Sequence, residues 1–137
     1  MANPLRKLGD GLLTTVTTLT SSASQTKYSS SIDLNATGAE RIGDIAKLKL
    51  DVPTLSGTLT STHTITYTVQ DSADNSTFAD VNTTTMKGFV YTGTDAAAVD
   101  SFWPIPDNIR RYVRLKIVSG ASAEDCSAVS VTFQVLV

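Results

Sequence analysis

The sequence predicts an all-β protein, an antiparallel sandwich or barrel of about eight strands. Three observations lead there. Four segments alternate apolar and polar residues with period two, turn-forming clusters recur about every ten residues, and no segment carries an apolar helical stripe over two turns or more. The 137 residues make one domain, enough to bury roughly two-thirds of the surface the unfolded chain exposes. At 41% apolar, the chain is too hydrophobic for intrinsic disorder. Ser and Thr together supply 36 residues while charged residues are only 18%, so the outward strand faces are expected to be wet without being strongly charged.

The strands follow in chain order. Leu12 to Leu19 is rich in Thr but alternates poorly. It lies in a Ser/Thr-rich stretch, so residues 1–28 read either as a flexible N-terminal arm or as a first strand with a long polar loop, and residues 29–137 as the sandwich. Ser30 to Leu34 is short, with Ile32 and Leu34 on one face. Ala46 to Val52 alternates strictly: Ala46, Leu48, Leu50 and Val52 point inward, Lys47, Lys49 and Asp51 outward, and Pro53 ends the strand. Thr62 to Val69 puts His63, Ile65, Tyr67 and Val69 on one face and four threonines on the other. Phe78 to Val81, Lys87 to Tyr91 and Ser101 to Ile105 are short candidates. Tyr112 to Val118 turns Val113, Leu115 and Ile117 inward, and Ala128 to Val137 does the same with Val129, Val131, Phe133, Val135 and Val137. A slip of one residue in any of these would expose the whole apolar set. Asp95 to Asp100 and Pro106 to Arg110 could each form one helical turn.

Composition narrows the chemistry. A net charge of −2 offers no basic field for nucleic acid, and no apolar run is long enough to cross a bilayer as a helix. The segment Met1 to Leu13, interrupted by Gly9, Asp10 and Gly11, does not read as a secretory signal. Three sequons, at Asn35, Asn75 and Asn82, are expected by chance in so Thr-rich a chain. One Cys and one His exclude most zinc sites and any internal disulfide. Cys126 is expected as a small residue at a strand edge, and His63 as a hydrogen-bonded residue at the core's edge. Asp71, Asp74, Asn75 and Asp80 lack the ligand spacing and turn Gly of a calcium loop and read as a solvated hairpin with Asx turns. No catalytic residue, metal site or cofactor is expected.

The densest basic run is Asn108 to Lys116. Arg110, Arg111, Tyr112, Arg114 and Lys116 form a candidate interface, one suited to carboxylates of a protein partner rather than to nucleic acid, with an ordinary solvated strand face as the plainer alternative. Trp103, between Phe102 and Pro104, joins the candidates in one of two roles: an exposed ring that stacks on a ligand, or a core residue at one end of the sandwich.

The stretch Thr64 to Val81, with Val69-Gln70-Asp71-Ser72-Ala73-Asp74 followed by a short strand at Phe78, resembles a hairpin of tailed-phage virion proteins. Ser31-Ile32-Asp33-Leu34, Arg111 to Ile117 and the Val-rich C-terminal strand fit the same pattern. Over roughly residues 28–137 the chain is similar to the small jelly-roll capsid cement, or decoration, proteins of short-tailed phages. That resemblance implies a jelly roll on the outer surface of the virion head, assembled in the host cytoplasm. Its partners would be the major capsid protein and further copies of itself, with no nucleic acid and no membrane. The family has no catalytic residues to carry over. A sugar-binding jelly roll acting through Trp103, and a tail or baseplate sandwich, are the alternatives.

Overall fold

A computed structural model describes residues 14–34, 47–55, 58–60, 62–81, 89–93, 97–105 and 108–136. Among these residues ten strands follow one another: β1 (Thr14–Thr18), β2 (Thr26–Tyr28), β3 (Ile32–Asp33), β4 (Lys47–Val52), β5 (Thr64–Ser72), β6 (Ala79–Asp80), β7 (Phe89–Thr92), β8 (Val99–Pro104), β9 (Tyr112–Ser119) and β10 (Ser130–Leu136). Where the sequence alternates, burial alternates. Leu48, Leu50 and Val52 of β4, Ile65, Tyr67 and Val69 of β5, Val113, Leu115 and Ile117 of β9, and Val131, Phe133 and Val135 of β10 are all buried. They meet between two antiparallel sheets in one continuous core. Burial of each such side chain stabilises by about 1.5–3 kcal/mol before the cost of ordering it. Among the described residues, no helix is long and apolar enough to cross a membrane.

The first sheet runs β1-β10-β4-β8. The second runs β2-β9-β5-β6, with β3 also on β9 and β7 also on β5. Strands β2 and β3 thus occupy one position along β9, and β6 and β7 one position along β5. Counted by position there are eight strands, paired first with last, second with seventh, third with sixth and fourth with fifth. This is a long antiparallel hairpin rolled into two sheets, the jelly roll. The expected number of about eight and the ten strands of the described residues differ because β2 and β3 share one position, as do β6 and β7.

One interruption has a visible cause. The Ser29 amide donates to the Leu115 carbonyl at 2.9 Å, and the Leu115 amide donates to Ser29 Oγ at 2.8 Å. A hydroxyl replaces a backbone carbonyl in the ladder, so Leu115 stays satisfied while the chain leaves β2 and re-enters as β3.

Other differences from the sequence reading trace to cross-strand pairing. The strand expected from Thr62 to Val69 runs instead from Thr64 to Ser72, its far end prolonged because β5 stays paired with β9 as far as Tyr112. Val99 and Asp100, expected in a helical turn, open β8 opposite Val52 and Asp51. Of the segment read as an arm or a first strand, residues 14–28 supply β1 and β2. Residues 1–13, the sequons at Asn35 and Asn82, and Pro106 and Asp107 lie outside the described residues. Asn75 adopts a φ of 59°, the left-handed region that Asn tolerates in a tight loop.

Candidate functional site

The basic run resolves into three separate arrangements around β9. At its start, Arg110 wraps Asp71 of β5. Nε and Nη2 donate to Asp71 Oδ1 at 2.9 and 2.5 Å, Nη2 also reaches the Asp71 carbonyl at 2.8 Å, and the Arg110 amide donates to Oδ2 at 3.0 Å. The Asp71 carboxylate pushes the Arg110 guanidinium further above its ordinary range. Asp71 is 8% exposed, so it is a buried anchor rather than part of a solvated turn. Beside it, Arg111 forms a two-pronged pair with Asp33 of β3, Nε to Oδ1 and Nη2 to Oδ2, both 2.9 Å. Both arginines nominated for a partner's carboxylates hold carboxylates of their own chain.

The third arrangement centres on Arg114. Its guanidinium carbon lies 3.8 Å from the Tyr28 ring centroid and 3.9 Å from that of Phe78. Its Nε donates to Gln70 Oε1 at 2.9 Å, and Gln70 Nε2 donates in turn to Asp80 Oδ1 at 2.8 Å. Lys116 Nζ closes the group at 4.0 Å from the same Asp80 oxygen. The register explains the assembly: Gln70 faces Arg114 and also Asp80, while Lys116 faces Tyr28. Three strands and the hairpin after β5 therefore fix one cation between two rings on the outer face of the second sheet. Each cation–π contact is worth about 0.5–1 kcal/mol at such an exposed place. Tyr28 remains 46% exposed, so the stack is accessible from solvent. Tyr112 lies under Arg111, 5.0 Å from centroid to guanidinium.

Trp103 stands apart from all of these. It belongs to β8 in the other sheet, opposite Leu48, and is 8% exposed within the core. Asp74 behaves as the expected Asx turn, accepting the amides of Ser76 and Thr77 at 2.9 Å each, and these bonds hold its carboxyl at about 2. Cys126 is a fully buried free thiol, and burial pushes its ionisation up.

A second polar cluster sits at one end of the sandwich. Glu124 accepts from the Thr60 hydroxyl and, at 2.6 Å, lies against His63 Nδ1 through the same Oε1, while the Thr60 amide donates to Oε2 at 3.3 Å. These bonds, the Thr60 hydroxyl's foremost, hold the Glu124 carboxyl at about 2. The order of groups matters. The carboxylate is central, with hydroxyl and imidazole both turned to it, so the hydroxyl is not set against the imidazole as a nucleophile is set against its base. The cluster acts as a tie between the loop after β4 and the loop after β9. Gly93 packs onto the first of these loops. Its amide donates to the His63 carbonyl at 2.9 Å, and a Cβ there would stand 2.7 Å from the Thr60 carbonyl carbon and oxygen.

The sequence reading missed Tyr28, Phe78, Asp33, Thr60 and Glu124. Nothing local marks them, because their partners lie far along the chain, 78 residues away for Asp33 and 61 for Glu124. Among the described residues, no group of three or more His, Cys, Asp or Glu side chains could hold a metal ion.

Fold and surface together define a jelly-roll sandwich that carries organised polar side chains on the outer face of the second sheet and at one end. The crystal structure of the PBSX exported protein XepA has a similar fold, with a TM-score of 0.52 over 88% of this chain at 14% sequence identity. The chain spans 36% of that protein's length. No family model matches the chain, and no curated protein matches it.

Proposed function

We propose that the protein is a structural component of a bacteriophage particle. In this reading it is a capsid cement protein that binds the outside of the head and bridges neighbouring major capsid subunits. It works by contact rather than catalysis. The observation that carries the proposal is the outer face of the second sheet, where Arg114 is held ready between Tyr28 and Phe78. Arginine and aromatic residues are enriched at protein interfaces, and an arginine that is already restricted loses less side-chain freedom on binding. Here the neighbouring Gln70 and strand register have already restricted the guanidinium. A shared fold with a phage-derived exported protein supports the phage assignment. Mild acidity suits the outside of a head better than its nucleic-acid-lined interior. A cement protein also needs only modest strength per contact, since contacts repeat over the particle. The sugar-binding alternative requires an exposed Trp103 ring, which its burial does not offer.

The test mixes purified protein with heads of the source phage that lack it, followed by imaging and thermal challenge of the particles. Occupancy at symmetry-related sites, with raised head stability, is the expected result. Binding to tails and not to heads would move the protein to the tail or baseplate, and binding to neither would overturn the proposal.

A further inference from the structure

Strand β1 closes one side of the first sheet, and among the described residues it pairs with β10 alone. Its sequence is Thr14-Thr15-Val16-Thr17-Thr18, five strand-favouring residues with no charge, no Pro and no Gly. Edge strands of soluble proteins usually carry some device against pairing. Strand β8, across the same sheet, carries Asp100 and Pro104; β2 carries Lys27, and β3 and β6 each carry an Asp. Strand β7 is also uncharged, but Phe-Val-Tyr-Thr does not read the same in both directions. Strand β1 does.

That palindrome meets a matching backbone. The Leu19 amide donates to Val129 of the segment leading into β10, so Thr17 and Thr15, two and four residues earlier, turn their amides the same way. The Thr15 hydroxyl reaching the Phe133 carbonyl at 3.2 Å agrees with this direction. The amides and carbonyls of Thr14, Val16 and Thr18 therefore point outward, away from β10. An antiparallel copy centred on Val16 would set Val16 against Val16 and Thr14 against Thr18. Each of these pairs has the two-bond geometry of an antiparallel ladder. Side chains agree as well. Val16, 67% exposed on the outer face, would cover its twin, and threonines would face threonines elsewhere. Lys27 bonds Thr18 Oγ1 at 2.5 Å at one end of the strand. The two-fold puts the two lysines at opposite ends, roughly 14 Å apart along the strands, beyond the screening length at physiological salt.

We infer that the edge of β1 is the self-association surface of this protein: two copies pair β1 to β1 about a two-fold axis at Val16, joining their first sheets into one continuous sheet. The partner is a second copy because the edge is complementary to itself in sequence, amide direction and exposed side chain. A five-residue edge covers less than the ~1,000 Å² of a stable standing interface, so the dimer is weak in solution, with a dissociation constant on the order of 0.1–1 mM. The inference does not depend on the capsid reading, and its test uses no phage particle.

Amide–water exchange measured by NMR at about 0.02 and 2 mM full-length protein reads the interface directly. The amides of Thr14, Val16 and Thr18 should slow about two- to fivefold at the higher concentration, while those of Thr15 and Thr17, bonded to β10 in monomer and dimer alike, should not change. Val16→Lys should abolish the concentration dependence, with an unaltered circular dichroism spectrum, by placing two like charges opposite each other. Exchange at Thr14, Val16 and Thr18 that is independent of concentration would overturn the inference. So would a concentration dependence that survives in a folded Val16→Lys protein.

Discussion

Asp71 shows how much a single side chain can carry here. It reads in the sequence as one of several acidic residues around a hairpin, yet it is buried and takes three donors from Arg110 besides lending that arginine its carbonyl. Removing the carboxylate leaves a backbone amide and a guanidinium without their acceptor. Asp71→Ala should therefore destabilise the fold by about 2–3 kcal/mol, with Asp71→Asn intermediate, as measured by urea unfolding. Glu124 makes a different prediction, in pH. Its carboxyl is held at about 2 in the folded protein, against an ordinary 4.5, chiefly by the Thr60 hydroxyl. A depressed carboxylate pKa stabilises the fold above the unfolded value, and that stabilisation is lost as pH falls through the folded value. The wild type should melt above Glu124→Gln at pH 6. The gap should narrow from about pH 4.5 downward and close near pH 2. Asp74, held down in the same range by its own turn, is present in both proteins and cancels from the comparison. Neither role was legible beforehand, because burial of Asp71 and contact between His63 and Glu124 both depend on which strands are neighbours.

Alternation predicts elements well where one face is buried and the other wet, as in β4, β9 and β10. It fails where the chain supplies only two or three paired residues. Strand β2 is Thr-Lys-Tyr, too short to show a period, and it forms because β9 offers it an edge. The break between β2 and β3 follows from Ser29, a residue with no special pattern around it. Its hydroxyl takes the Leu115 amide in the interior. Ser29→Ala removes the acceptor and leaves a buried donor unpaired, so it should cost about 1–3 kcal/mol. Ser29→Thr, which keeps the hydroxyl, should recover most of that. Urea unfolding of the pair separates lost hydrogen bonding from lost volume, since Ala deletes only one small polar atom. A loss confined to Ala also supports the hydroxyl as the reason β2 and β3 can share β9 without a gap in the ladder.

Across the whole molecule, the all-β class follows from periodicity, while the jelly-roll order does not. Periodicity says which side chains point inward but not which strands lie side by side. The pairing of first strand with last joins residues 14–18 to 130–134, and no local signal spans that distance. The candidate surface obeys the same limit: the basic run is plain in the sequence, while the availability of its charges depends on register. Arg110 and Arg111 are held by Asp71 and Asp33, whereas Arg114 is held between the Tyr28 and Phe78 rings on the outer sheet face. If the sheet face binds capsid, Arg114→Glu should weaken head binding more than Arg111→Glu, because reversal at Arg114 both dismantles the stack and sets a carboxylate beside Asp80. Circular dichroism should show both variants folded. Binding measured by co-sedimentation with heads should fall by at least about tenfold for Arg114→Glu at low salt. The electrostatic part of that loss should shrink as salt rises, because exposed charges are screened. The part due to the lost Tyr28 and Phe78 packing should persist. A loss that vanishes entirely at high salt would assign the face to charge alone, and equal binding by Arg114→Glu and the wild type would remove this face from the capsid contact.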